Sequence, residues 1–150
     1  MSAFEPQDSN FEQRVRASFT RQTVMELIGG KLIRVLPGEV TIELPFREEL
    51  TQQHGFLHGG VVTTIVDSAC GYAALSLMPA DSAVLTIEYK VNFMAPAAGE
   101  PIIAYGCVTK PGRTVTVCTG NVFAVNNGHE KLIATMLATM MRVTNPVLQD

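Results

Sequence analysis

Residues 52–67 read Gln-Gln-His-Gly-Phe-Leu-His-Gly-Gly-Val-Val-Thr-Thr-Ile-Val-Asp, which places an amide side chain, a His-Gly-Gly turn and a single carboxylate within sixteen positions. A helix that starts at Gly59 or Gly60 aims N–H groups with no partner inside the helix, at the positive end of its dipole, toward whatever lies in front of it. Such donors can hold a developing oxyanion. Asp67 then falls well inside the helix among Val62, Ile65, Val66, Ala69 and Cys70. A carboxylate there is costly unless it is solvated, paired or used.

Other residues offer chemistry with less support. His54 and His58 are four apart, the spacing of two helical metal ligands, but no third ligand stands at a matching distance and Gly55 argues against helix there, so no metal is expected. Cys70 lies about one turn beyond Asp67 with no neighbouring base or cation to activate it, which makes it a core residue. His129 sits in a turn and is expected to face solvent.

The elements that must position residues 52–67 are legible from periodicity. Ser9-Asn-Phe-Glu12 has the form of a capping box, and Phe11, Val15, Phe19, Met25 and Ile28 fall near a helical stripe that stops at Gly29-Gly30. Lys31–Leu36 and Glu39–Phe46, joined by Pro37-Gly38, read as a hairpin. A polar loop leads into a very apolar helix from about Gly59 to Met78 whose Ala and Gly residues admit close approach of other backbone. From Ala83 the period becomes two: Ala83, Leu85, Ile87, Tyr89, Val91 and Phe93 are expected on one face, with Thr86, Glu88, Lys90 and Asn92 on the other. Three more strands follow, at about 100–109, 113–125 and 130–144, separated by the turn sequences Lys110-Pro-Gly-Arg113 and Asn126-Asn-Gly-His129. Long antiparallel strands and one apolar helix imply an α+β fold, a curved antiparallel β-sheet wrapped around a long central α-helix, plus an N-terminal helix.

The 150 residues are expected to form one domain with residues 1–8 as a flexible N-terminus. A hydrophobic fraction of 47% and a mean hydropathy of +0.20 suggest that another copy of the chain covers some apolar surface, so a homo-oligomer is expected. The net charge of −3 and the lack of any Lys/Arg cluster argue against a nucleic-acid partner. No apolar run is long enough to span a membrane, and the polar N-terminus does not read as a secretory signal. Cys70, Cys107 and Cys118 are odd in number, without C-x-x-C spacing and in apolar surroundings, and read as buried free thiols of a reducing compartment; a cytoplasmic location is expected.

Residues Gln52 to Asp67, followed by Glu88-Tyr-Lys-Val-Asn-Phe-Met-Ala-Pro96, resemble hotdog-fold acyl-CoA thioesterases of the phenylacetate-pathway (PaaI-like) type. The likeness covers about residues 30–144 and keeps the family's order: amide residue, Gly, His-Gly-Gly, Asp nine places beyond the His, then a long strand ending in Pro. The resemblance implies a hotdog fold and hydrolysis of an acyl-CoA thioester to a free acid and coenzyme A, the latter part of the substrate, with no separate cofactor. By the same resemblance Asp67 matches the catalytic carboxylate, acting as general base or as nucleophile. Gly59 matches the residue whose N–H polarises the thioester carbonyl. Gln52 matches an amide that places water or substrate, a position where PaaI-type relatives carry Asn and hydroxybenzoyl-CoA relatives Gln. Thr86 corresponds to a strand position where some members use Ser or Thr near the carboxylate, and His58 shapes the turn before the oxyanion glycine.

Helix geometry adds a constraint. Gly59 and Asp67 are eight residues apart, about 12 Å along one helix at 1.5 Å per residue, too far to serve one small reacting centre. Two antiparallel copies related by a two-fold axis place the start of one helix beside the middle of the other. Two equivalent sites per dimer are expected, each with Gln52, His58 and Gly59 from one chain and Asp67 and Thr86 from its partner, which is also the family's arrangement. Lys90, Lys110 and Arg113 are candidate contacts for the coenzyme A phosphates. Phe56, Leu57, Tyr72, Leu75 and the first helix are candidate walls of the acyl pocket. The competing readings are a non-catalytic acyl-CoA-binding hotdog protein, a hotdog hydratase or dehydratase for which His58 is the only candidate partner of the carboxylate, and a structural dimerisation module.

Overall fold

A six-stranded antiparallel sheet of order β1-β2-β4-β5-β6-β3 curves around one long helix in the computed structural model, which describes residues 4–150. The elements follow in the order α1 (Phe11–Arg21), α2 (Thr23–Ile28), β1 (Lys31–Leu36), β2 (Glu39–Leu44), α3 (Gly59–Leu75), β3 (Ala83–Phe93), β4 (Ile102–Lys110), β5 (Val115–Asn126) and β6 (His129–Val143). This is the α+β architecture expected from the pattern of periods, with strand limits shifted by a residue or two, as fraying ends usually are.

The apolar helix α3 lies against β2, β4 and β5 and forms the centre of the core; Val62, Ile65, Val66, Ala69, Cys70 and Leu75 are fully buried. Its close seat depends on two glycines. Gly106 and Gly120 face each other across β4 and β5. A Cβ at Gly106 would overlap the backbone of Ala69, and one at Gly120 would overlap the Val66 side chain. Backbone cannot yield as a side-chain tip can, so Gly106→Ala is expected to destabilise the protein by about 1–3 kcal/mol or more, the range for overpacking a dense core. Thermal and urea unfolding of the variant measure it.

The N-terminal segment differs from its sequence reading. The capping box is not formed, because Asn10 rather than Ser9 precedes the helix and makes no side-chain cap. Instead Asp8 accepts the Asn10 N–H through Oδ1 and the Phe11 N–H through its carbonyl. The single expected helix is also two helices, broken at Gln22, whose backbone is extended (φ −80°, ψ 93°). The second ends where Gly29 turns left-handed (φ 82°), its N–H donating to Met25 and Glu26 carbonyls. Of residues 1–8, expected to be flexible, the first three lie outside the described residues. Among the others, Gln7 donates to the Leu77 carbonyl and Asp8 lies 3.5 Å from the Arg14 guanidinium. Arg14 in turn donates to the carbonyls of Leu75, Met78 and Pro79 and so closes the C-terminal end of α3, which stops at Leu75 rather than Met78.

Strand β3 corrects the expected division of faces. The register slips between Thr86 and Glu88, so Ile87 is an extra residue without a partner across the ladder. One extra residue exchanges the two faces of everything beyond it. Thr86 pairs with Met140, Tyr89 with Ala138, Val91 with Met136 and Phe93 with Ala134, all on the buried side of β6. Thr86 therefore shares the helix-facing side with Tyr89, Val91 and Phe93, whereas Leu85 pairs with Met141 on the outer side. β3 borders only β6 and is an edge of the sheet. The helix covers it only in part: Tyr89 is 45% and Phe93 53% exposed despite facing inward.

Candidate active site

The loop before α3 is tied down at both sides, which fixes where the helix begins. Leu57 donates to the Ala97 carbonyl and His58 to that of Leu50, while Gln52 N–H bonds the Phe56 carbonyl and closes a tight turn with Gly55 left-handed (φ 83°). The Gln52 side-chain oxygen accepts the His54 N–H, which leaves its NH2 as the end free to meet a ligand.

His58 is the N-cap of α3. Its Nδ1 accepts the Gly60 N–H at 2.8 Å, so this nitrogen is unprotonated. Its carbonyl accepts the N–H groups of Val61 and Val62 at 2.9 and 3.2 Å. Three of the four first-turn donors are thereby taken. The Gly59 N–H is the one without an acceptor among the described residues, and it opens on a cavity of about 390 Å3 whose walls include Gln52, Phe56, Leu57, Phe93 and Met94. The cap makes the donor at Gly59 specific. It also commits His58, which works against the hydratase reading, where an imidazole must be free to move protons.

Asp67 stands two turns further along α3 and is half-buried. Thr86 Oγ1 donates to Asp67 Oδ1 at 2.8 Å, a contact that exists because the β3 bulge turns Thr86 toward the helix. Burial pushes the Asp67 carboxyl above its ordinary value and the Thr86 hydrogen bond pulls it part of the way back. Thr86→Val keeps the volume and removes the donor, so the carboxyl pKa is expected to rise further. A carboxyl 13C NMR titration of both proteins reads this directly, and an unchanged or lower value would contradict the assigned cause.

Asp67 and Thr86 line a second cavity of about 100 Å3, together with Gln22, Ser68, Gly71, Tyr72, Val84 and Asp150. No residue lines both cavities. Gln52, His58 and Gly59 are thus brought together at one end of α3, Asp67 and Thr86 at its middle, and one chain does not join the two groups. Of the expected acyl-pocket walls, Phe56 and Leu57 line the first cavity and Tyr72 the second, while Leu75 is fully buried in the core. Gln22, Ser68 and Asp150 carry no sequence motif and were not expected there.

The candidate phosphate contacts line neither cavity. Lys90 points to the outer side of β3, donating to Asn92, and Arg113 borders a separate cavity with Pro79 and Arg142 beyond the C-terminal end of α3. Lys110 is exposed at the end of β4. Among the described residues no group of three or more His, Cys, Asp or Glu is placed to hold a metal, and no helix is long and apolar enough to cross a membrane. The thiols of Cys70 and Cys118 are buried, which pushes Cys70 well up and Cys118 to about 12; neither is a ready nucleophile. Cys107, in contrast to the expected burial, is exposed on the outer face of β4.

The fold recurs in known proteins. The profile of the thioesterase superfamily matches residues 54–130. A putative esterase of Saccharolobus solfataricus is 35% identical over 94 residues, 63% of this chain and 66% of that protein. The match to this esterase and to one from Halobacterium salinarum therefore spans just under two thirds of their lengths. Human acyl-coenzyme A thioesterase 13 is 32% identical over 125 residues, 81% of this chain and 87% of its own. Among solved structures, a thioesterase family protein from Silicibacter pomeroyi superposes with a TM-score of 0.88 at 52% identity, covering 90% of this chain and 99% of that one. The PaaI protein of the E. coli phenylacetic acid degradation operon, at 20% identity, shares the fold with a TM-score of 0.80 over 91% of this chain and 96% of its own. The profile takes in the His-Gly-Gly cap, the carboxylate helix and strands β3 to β5, so the likeness runs through the elements that carry the site as well as through the core: the chain belongs to the thioesterase superfamily and has its hotdog fold.

Proposed function

We propose that this protein hydrolyses acyl-CoA thioesters in active sites shared between two copies of the chain. The observation that carries the reading is the unclaimed Gly59 N–H at the head of the same helix that holds the half-buried Asp67. Eight residues separate them, about 12 Å of helix, so both reach one carbonyl only if a second helix runs antiparallel beside the first. The uncovered edge of β3 supports such a pair: an eleven-residue edge strand with exposed Leu85, Ile87, Tyr89 and Phe93 is a surface that soluble proteins normally cover.

In each site Gly59 N–H holds the thioester oxygen and the Gln52 NH2 orients the substrate or water. Asp67 of the other chain takes a proton from the attacking water through Oδ2, while Thr86 of that same chain donates to its Oδ1. The water oxygen bonds to the acyl carbon, the electron pair of the carbonyl moves onto the oxygen at Gly59, and its return expels the coenzyme A thiolate, which recovers the proton from Asp67. Attack by the Asp67 carboxylate itself, with hydrolysis of the resulting anhydride, uses the same groups. His58 acts by capping, which keeps Gly60 from competing with Gly59. Lys90, Lys110 and Arg113 line neither cavity, so no contact of theirs with the coenzyme A phosphates enters this reading. The three free thiols fit a reducing cytoplasm.

Incubation of the protein with a panel of acyl-CoAs and a thiol reagent tests the reading. Release of free coenzyme A at a rate proportional to protein is expected. Tight binding of acyl-CoA without release would instead mark a binding protein.

A further inference from the structure

We propose that Gly71 sets the size of the acyl group this protein accepts, by holding open the cavity beyond Asp67. The inference rests on the acyl-CoA thioesterase reading above. Gly71 lies one helical turn after Asp67, is counted among the buried residues of α3, and is yet unlike the other buried glycines of the fold. Gly106 and Gly120 are needed because backbone or side chains press against them, whereas a Cβ on Gly71 would meet nothing within 4 Å. Glycine is a poorer helix former than any residue but proline, and here neither packing nor a left-handed backbone requires it. What its missing side chain leaves is space, and that space is the cavity of about 100 Å3 on the same side of the helix as Asp67.

The rest of the wall is built rather than incidental. The extended backbone at Gln22 separates α1 from α2, and the Gln22 side chain lines the cavity, where its oxygen accepts the Ser68 hydroxyl. Asp150 also lines it, its two carboxylate oxygens accepting from Ser18 Oγ at 2.9 Å and Val84 N at 2.8 Å. Tyr72 is held by Ser18 at 3.2 Å and packs against Phe19. A thioester carbon set between Gly59 of one chain and Asp67 of the other has two directions to send its substituents. The wider cavity at Gly59 suits the pantetheine arm, and the small one beside Asp67, with Gly71, Tyr72 and Val84 in its wall, takes the acyl group. Its volume equals on the order of three waters, room for a short acyl group and not for a long chain.

The test is kcat/KM for acetyl-, butyryl-, hexanoyl- and decanoyl-CoA with wild type, Gly71→Ala, Gly71→Val and Gln22→Ala, beside thermal melting and sedimentation of each. Short chains are expected to be the better wild-type substrates. Gly71→Ala should melt no lower than wild type, because the helix gains and nothing clashes. It should keep acetyl-CoA turnover within about twofold while losing about tenfold or more on the longest chain wild type accepts, the scale for one methylene in a closed pocket. Gly71→Val should move the limit shorter still, and Gln22→Ala, which widens the wall, should move it longer. Chain-length profiles identical in all four proteins would overturn the inference while leaving the thioesterase reading intact. So would a dimer lost in Gly71→Ala, since the glycine would then serve approach of the partner. Absence of coenzyme A release by wild type from every substrate would overturn the underlying reading and this inference with it.

Discussion

At neutral pH, Asp67→Asn is expected to lower kcat at least about a hundredfold, the scale for losing a catalytic base, and to raise Tm in the same protein. The two effects have one cause. The carboxylate is held half-buried, and burial disfavours its charged form enough to push the folded-state pKa above the ordinary 3.8 despite the Thr86 hydrogen bond. In the pH range between those two values the folded state binds more protons than the unfolded state, so this group's contribution to stability falls as pH rises through the folded pKa. The penalty is full above the folded pKa and absent below the unfolded one. Asn has nearly the same shape, its oxygen still accepts from Thr86 Oγ1, and it has no charge to desolvate. The Tm advantage of Asp67→Asn should therefore be largest at neutral pH and close as the pH is taken below about 3.8. Activity assays with thermal scans at both pH values measure it. Wild-type turnover would remove Asp67 from the chemistry, and a lower Tm at neutral pH would show that the carboxylate is a structural ion instead.

Mixing two inactive variants should regenerate activity. Gly59→Pro removes only the one N–H assigned to the oxyanion, a loss on the order of 100- to 1000-fold. The position tolerates it: Gly59 is the first residue of α3, where proline is favoured, and His58 before it is already extended (φ −61°, ψ 137°). The Phe93 ring, 3.1 Å from where a Cβ would stand, must give by a few tenths of an ångström, which a side chain can do where backbone cannot. Asp67→Ala removes the base. When the two chains pair, one site receives an intact Gly59 and an intact Asp67 while the other receives both lesions. Random pairing at equal amounts then gives about a quarter of wild-type activity. If each site were built from one chain, well-folded mixed dimers would stay inactive, and the head-to-tail arrangement would fall.

Much of this protein is readable from local pattern because its two kinds of element differ sharply in period. The apolar positions of α3 recur at threes and fours between a His-Gly-Gly start and Arg14-capped carbonyls, and the strands from Ala83 onward alternate between turns whose sequences suit them, as at Asn127 (φ 50°) and Gly128 (φ 78°). The errors arise where one residue outweighs a periodic run. Ile87 is as apolar as its neighbours, and nothing in its type marks it as the extra residue of a bulge; whether a ladder slips there depends on how β6 and α3 curve the sheet. Gln22 is an ordinary helix former, and its extended backbone follows from docking α1 and α2 separately, with Val15 and Phe19 on one side and Met25 and Ile28 on the other all buried. The capping box failed for a related reason: Asp8 holds the N–H groups of Asn10 and Phe11, and the helix starts after Asn10 rather than after Ser9.

Which groups the chain has for acyl chemistry, an amide, an N-terminal helix donor and a carboxylate two turns later, was determined by the sequence alone, since spacing on one helix is a local property. Tertiary structure decided that Thr86 rather than Ile87 meets the carboxylate, and that residues as distant in the chain as Gln22, Gly71 and Asp150 line one small cavity. Those outcomes depend on register and on contacts between remote segments, and in both a shift of one residue reverses which side chain points at which.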